Sequence, residues 1–221
     1  MKTSGKKRRS GLFYTKGEER VNTFSHAIGI IMGIIAGILF LTKSHESGDI
    51  WTTIGVCFYL FGMGSSYLSS TLYHALKHHS PWKPRLRHWD HAAIYWHIAG
   101  SFSPFALITL REDGAWGWGL FCFIWLSAIA GTVVSFRKMK EHSHVETICY
   151  ILMGLSVLAV FKPLFAVAEV SCYWIIAEGV CYITGAVFYS FRHLRYTHSI
   201  FHFFVLAGSA CHIIAIWKIL A

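Results

Sequence analysis

Residues 24–42 read FSHAIGIIMGIIAGILFLT and contain no lysine, arginine, aspartate or glutamate. An α-helix rises 1.5 Å per residue, so about 20 apolar residues cross the hydrocarbon core of a bilayer. The run lacks a small-residue cleavage site, and we interpret it as a retained first membrane helix and not as a signal peptide. This stretch therefore predicts a membrane fold.

Six further apolar runs follow along the 221-residue chain. They cover about 50–74, 89–110, 116–136, 146–162, 171–191 and 197–219. The chain is 54% hydrophobic and 14% charged, whereas a soluble domain carries roughly 25% charged residues. We predict an all-α integral membrane protein in which a seven-transmembrane-helix bundle over residues 21–221 follows a basic tail over residues 1–20.

The basic residues lie mainly in the tail and in the loops that follow the even-numbered spans. These segments hold 16 of the 20 lysines and arginines, and the other loops and the C-terminus hold four. By the positive-inside rule, the N-terminus is cytoplasmic and the C-terminus is outside. The net charge of +9 therefore reports topology and does not indicate a nucleic-acid partner. The six cysteines fall within apolar spans without a CxxC motif, which argues against a thiolate zinc site.

His198 and His202 stand one helical turn apart at the start of the last span. Both rings can reach the same metal ion from one helix face. Because a chain with 14 histidines can contain such a pair by chance, further ligands are needed at the same depth. The predicted topology brings the end of the second span and the start of the third span to that depth.

Polar residues occupy both of those places. Ser70 and His74 are four apart and belong to a polar stripe at the end of the second span. Asp90 opens the third span, and an ionisable residue inside the membrane boundary is a functional candidate. Each has another interpretation: an interfacial histidine, a serine stripe for close helix packing, or a boundary ion pair of Asp90 with Arg85 or Arg87.

Three imidazoles and a carboxylate suit a zinc (Zn2+) site. His74, His198 and His202 would bind the metal directly and leave a fourth position for water, which zinc converts to hydroxide near neutral pH. Asp90 would orient or deprotonate that water. Ser70 would donate a hydrogen bond to an oxyanion or hold the water in place. The common depth follows from charge counting that ignored these residues, and it favours the metal site.

Further ionisable residues within the predicted spans include His26, His97, Glu178 and His212. His26 lies at the cytoplasmic start of the first span, where a neighbour of the metal site and a structural histidine are both open interpretations. His97 and His212 lie roughly 10 and 15 Å deeper than the site residues of their own spans, so core histidines are expected. Glu178 receives no role.

Several motifs resemble those of one known family. They are Glu19-x-x-Asn22-x-x-Ser25-His26, Ser69-Ser70-Thr71-Leu72-Tyr73-His74, Asp90-His91-x-x-Ile94-Tyr95, Ala99-Gly100-Ser101-Phe102-Ser103-Pro104-Phe105, His198-Ser199-Ile200-Phe201-His202 and Cys211-His212. From about residue 18 to 219 the chain resembles the hemolysin III branch of the progestin and adipoQ receptor family, which includes the adiponectin receptors.

The resemblance implies seven helices, a cytoplasmic N-terminus and an intramembrane zinc on His74, His198 and His202, with Ser70 and Asp90 beside it. Relatives are linked to hydrolysis of ceramide-type amides. The bacterial branch is linked to membrane-lipid homeostasis, and its name comes from a haemolytic, pore-forming activity. The short chain favours this branch and hence a bacterial plasma membrane.

Our leading expectation is a zinc-dependent intramembrane hydrolase of a lipid amide or ester, with a membrane lipid as substrate. One alternative is a non-enzymatic, metal-stabilised regulator of membrane lipid composition. Another is a pore-forming haemolysin-type protein, although no predicted span carries a polar stripe along its full length. The lipid and the oligomeric state stay open.

Overall fold

The computed structural model describes residues 14–137, 145–191 and 194–221, so most of the predicted tail lies outside the described residues. Every regular element within these ranges is a helix. Seven helical segments coincide with the predicted spans: α1 (Lys16–Ser47), α2 (Ile50–Ala75), α3 (Lys83–Pro104), α4 (Trp116–Phe136), α5 (Val145–Val167), α6 (Glu169–Ser190) and α7 (Thr197–Leu220). A π-helix, Phe105–Thr109, follows α3, and a 3-10 turn, Ser156–Val160, interrupts α5.

Five of these segments, α1, α4, α5, α6 and α7, are long and apolar enough to cross a membrane. In α2 the glycines, serines and tyrosines lower the mean hydropathy, and in α3 the charged residues of the first two turns do so. Both helices have many buried residues. Large apolar side chains such as Ile31, Ile38, Leu126 and Leu152 are instead exposed on the surface of the bundle. An apolar surface of this extent is typical of a protein that contacts lipid.

Close backbone contact between α2 and α3 forms the centre of the bundle. A Cβ atom on Gly62 would lie 2.2 Å from the carbonyl oxygen of Trp96, and one on Gly100 would lie 2.6 Å from that of Phe58. Only glycine permits such an approach, which is a common way for membrane helices to pack. The two helices therefore form one closely packed pair.

Two helices begin earlier than the apolar pattern predicted. α1 begins at Lys16 and not near residue 24, because Thr15 and Glu18 form a reciprocal capping box. α3 begins at Lys83 and not at residue 89, with Pro84 in its first turn, where the missing N–H costs no helix bond. These polar first turns are helical because Glu18, Glu19 and Lys83 make hydrogen bonds and an ion pair at the end of the bundle that holds the candidate site.

Candidate metal centre

Three histidine rings meet where the end of α2 faces the start of α7. His198 Nε2 lies 3.3 Å from His74 Nε2 and 3.0 Å from His202 Nε2. One ligand atom of each residue lies within 4.8 Å of the other two. Tetrahedral zinc with bonds of about 2.0–2.1 Å separates its nitrogen ligands by roughly 3.3 Å, so this spacing fits the ion. The structure thus brings together the three residues that the sequence predicts as ligands.

The outer nitrogens of two of these rings decide which nitrogen faces the centre. His74 Nδ1 lies 2.6 Å from the Glu19 carboxylate, and His202 Nδ1 lies 3.3 Å from the carbonyl oxygen of Asn22. Because both partners are acceptors, each Nδ1 carries the proton and donates it. The Nε2 lone pairs of His74 and His202 are therefore available at the centre, as metal coordination requires.

A buried lysine holds the Glu19 carboxylate from its other side. Lys83 Nζ donates to Glu19 Oε1 at 2.8 Å and to the carbonyl oxygens of Tyr73 and Leu76 at 3.0 and 2.9 Å. The order of carboxylate, histidine and candidate metal position matches the carboxylate–histidine–zinc arrangement of known zinc sites. Such a carboxylate fixes the orientation of the imidazole and makes it a better ligand.

Glu19 belongs to a polar stripe on α1 that also includes Asn22 and Ser25. Ser199 Oγ donates to Asn22 Oδ1 at 2.6 Å, and Ser25 Oγ lies 3.2 Å from His202 Nδ1. In the sequence, these residues belong to a family motif, and no role was predicted for them. The signal that indicates them is the spacing of three between polar residues, which places them on one face of an otherwise apolar helix.

Asp90 and Ser70 lie beside the histidines. Asp90 interacts with the Ser70 hydroxyl and with the charges of three basic side chains, those of His74, His91 and Arg87. Ser70 is buried one turn before His74. The carboxylate is thus near the cluster but does not belong to the three-histidine group. A carboxylate held in such a position can accept a proton from a water molecule.

Two aromatic rings cover the histidine cluster. His26 stacks on His202 with ring centroids 3.6 Å apart and an interplanar angle of 14°. Tyr14 stacks on His198 at 4.7 Å and 18°. Of the two interpretations of His26, this contact favours a neighbour of the candidate metal site that packs against a candidate ligand.

The deeper histidines lie apart from this cluster. His97 does not belong to the three-histidine group, in agreement with its predicted depth. His212 contacts Glu178, with Nδ1 2.6 Å from Oε2. The structure thus gives a partner to Glu178, to which the sequence assigned no role.

These features define a class of protein. Five membrane-length apolar helices and an apolar outer surface indicate an integral membrane protein. The three histidines at one end of its bundle form a possible metal-binding group.

Comparison with known proteins identifies the family. The family described as Haemolysin-III related matches residues 14–213. The chain is 36% identical to Hemolysin-3 of Bacillus cereus over 194 residues, 87% of each protein. It is 31% identical to the human Monocyte to macrophage differentiation factor over 215 residues, 92% of this chain and 84% of that protein. It is 26% identical to the ADIPOR-like receptor IZH2 of Saccharomyces cerevisiae over 234 residues, 91% of this chain and 71% of that protein. The chain belongs to the haemolysin-III-related family, the hemolysin III branch of the progestin and adipoQ receptor family, which confirms the resemblance.

Proposed function

We propose that this protein is a zinc-dependent hydrolase that cleaves an amide or ester bond of a membrane lipid within the bilayer. The observation that carries the proposal is the convergence of His74, His198 and His202 beside the Asp90–Ser70 pair. Three protein ligands with a carboxylate close by are typical of catalytic zinc sites, whereas structural sites use four protein ligands. Family membership supports the proposal, because relatives are linked to ceramidase-like activity.

The proposed enzyme crosses a bacterial plasma membrane seven times, with its N-terminus in the cytoplasm. α2 and α3 have 26 and 22 residues, which corresponds to about 39 and 33 Å at 1.5 Å per residue, enough to span the hydrocarbon core. Their polar side chains are tolerated because neighbouring helices bury them. This proposed orientation, taken from the positive-inside rule, puts the metal centre at the cytoplasmic boundary of the bilayer.

The residues around the cluster divide the work of hydrolysis. A zinc ion on the three histidines would polarise the lipid carbonyl and activate a water molecule. Asp90 accepts a proton from that water and passes it to the leaving amine or alcohol. Ser70, which interacts with the Asp90 carboxylate, donates a hydrogen bond to the oxyanion or holds the water in place. Glu19 holds the His74 ring in the coordinating tautomer.

The test uses purified protein with an N-acylated sphingoid lipid and its ester analogue in mixed micelles, and measures released fatty acid by mass spectrometry. Wild type is expected to release fatty acid in a zinc-dependent manner, and His202→Ala is expected to lose both zinc and activity. The exposed His79 offers a matched control, since His79→Ala should retain both. If His202→Ala keeps zinc and cleaves lipid, the assignment is wrong.

Two other outcomes would favour the alternatives. Zinc binding without turnover of either lipid would favour the non-enzymatic regulator of lipid composition. Leakage of liposomes that survives loss of His74, His198 and His202 would favour the pore.

A further inference from the structure

A second buried polar contact lies deeper in the bundle, between Glu178 of α6 and His212 of α7. His212 Nδ1 lies 2.6 Å from Glu178 Oε2, and the two residues are 3% and 8% exposed. In the described part of the chain, the only ion-pair partner of Glu178 is His212. His212 Nε2 lies 3.0 Å from the carbonyl oxygen of Ser101 on α3. We call these three groups the Glu178–His212–Ser101 clamp; it joins α6, α7 and α3.

The Ser101 carbonyl of the clamp lies at the irregular end of α3. In a regular helix the N–H of Phe105 would bond to Ser101 O, four residues earlier. Here the Phe105 N–H bonds to Phe102 O, at the point where Pro104 ends α3 and the π-helix begins. His212 Nε2 therefore bonds to a carbonyl at the irregular end of α3, where the regular bond from the Phe105 N–H is not made.

The hydrogen-bond roles in the clamp follow from its acceptor. Because a carbonyl only accepts, His212 Nε2 must carry a proton. The remaining proton lies between His212 Nδ1 and Glu178 Oε2, and the pair is net neutral whichever atom holds it. Neutrality and pairing explain how a glutamate is accommodated inside a membrane helix. A contact with these fixed donor and acceptor roles sets the position of α7 closely.

That position matters because α7 supplies two of the three candidate ligands. The third, His74, lies on α2, which packs against α3 through Gly62 and Gly100. The clamp therefore links the closely packed α2–α3 pair to the helix that carries His198 and His202. A second contact also joins α2 to α7: the Tyr67 hydroxyl donates a hydrogen bond to Ser209 Oγ at 2.7 Å.

We infer that Glu178 and His212 are positioning residues of the metal centre, which hold α7 so that His198 and His202 meet His74. His212 lies ten residues beyond His202, about 15 Å along the helix, so the two residues act through α7 and do not contact the metal. The inference rests on the proposed metal site but not on lipid hydrolysis.

The experiment measures Zn²⁺ affinity by chelator competition and the visible spectrum of Co²⁺-loaded protein, on folded, monodisperse samples. Glu178→Leu leaves His212 Nδ1 without a partner, and we expect zinc affinity to fall by roughly 3- to 30-fold, in the range of measured long-range couplings. The Co²⁺ spectrum should change as well. Glu178→Gln can donate its amide N–H to Nδ1, and it should restore affinity to within about threefold of wild type.

A control and a milder variant keep the test decisive. Glu169→Leu replaces an exposed glutamate at the start of the same helix and should leave zinc affinity unchanged. If Glu178→Leu does not fold, zinc affinity is measured on Glu178→Asp instead. The shorter side chain of aspartate must lengthen the contact with His212 or move α7. A purely structural role would lower the melting temperature while leaving metal affinity and spectrum as in wild type, and that result would overturn the inference. Loss of affinity without any lipid hydrolysis in wild type would uphold it and refute only the hydrolase.

Discussion

Replacing Glu19 with glutamine tests the outer support of the metal centre. The carboxylate accepts from His74 Nδ1 with one oxygen, at 2.6 Å, and from Lys83 Nζ with the other, at 2.8 Å. Both partners are donors, but a glutamine amide has only one accepting oxygen. In either orientation of the amide, its NH2 group faces a donor.

The expected loss is the value of one hydrogen bond to a charged group. Such bonds contribute about 1.5–3 kcal/mol, and 1.4 kcal/mol corresponds to tenfold in a dissociation constant. Zinc affinity of Glu19→Gln should therefore fall by roughly 10- to 100-fold, the range found when the outer partner of a metal-bound histidine is removed.

Zinc affinity is measured by chelator competition at fixed pH. Glu46→Gln is the matched control, because Glu46 also pairs with a lysine at 2.8 Å on α1, but at the exposed end. The control should bind zinc as wild type does. A dissociation constant of Glu19→Gln equal to that of wild type would refute the proposed role of the carboxylate.

Three further predictions follow from the same structure. Asp90→Asn should keep its zinc but lose roughly 10²- to 10⁴-fold in lipid hydrolysis, the contribution of a positioned general base; full activity would exclude Asp90 as the base. Gly62→Ala should lower the free energy of unfolding by about 1–3 kcal/mol, because its Cβ would lie 2.2 Å from Trp96 O. Gly64→Ala is the matched control, since a Cβ on Gly64 meets nothing within 4 Å. Equal melting temperatures for Gly62→Ala and Gly64→Ala would contradict the packing argument. Chelation should destabilise zinc-loaded wild type, by about 2.7 kcal/mol if free zinc was at 100 times the dissociation constant, and should leave the melting temperature of His202→Ala unchanged.

The positions of the helices could be predicted from apolar runs, but the starts of α1 and α3 could not. Glu18, Glu19 and Lys83 look like solvated residues in a sequence because hydropathy counts each charge as exposed. In the structure Glu19 and Lys83 neutralise each other, and Glu18 caps α1 and accepts from the Tyr196 N–H. Hydropathy cannot detect such pairing between residues distant in the chain.

The three histidines could be predicted to meet because helix spacing and charge counting place them independently at one depth. The groups that orient them could not be assigned in the same way. Asn22 lies 180 residues from His202, and Glu178 lies 34 residues from His212. The predicted depth of a residue in the membrane does not determine which faces of two helices contact each other. The polar stripe on α1 is the one local signal that could have indicated Glu19, Asn22 and Ser25.

The central claim is that the three histidines hold a zinc ion. The most direct measurement is the metal content of protein purified without chelators or added metal, by inductively coupled plasma mass spectrometry. The account predicts about one zinc per chain in wild type, and almost none in a His198→Ala, His202→Ala double variant that remains folded. Metal-free wild type, or a double variant that retains its zinc, would contradict it.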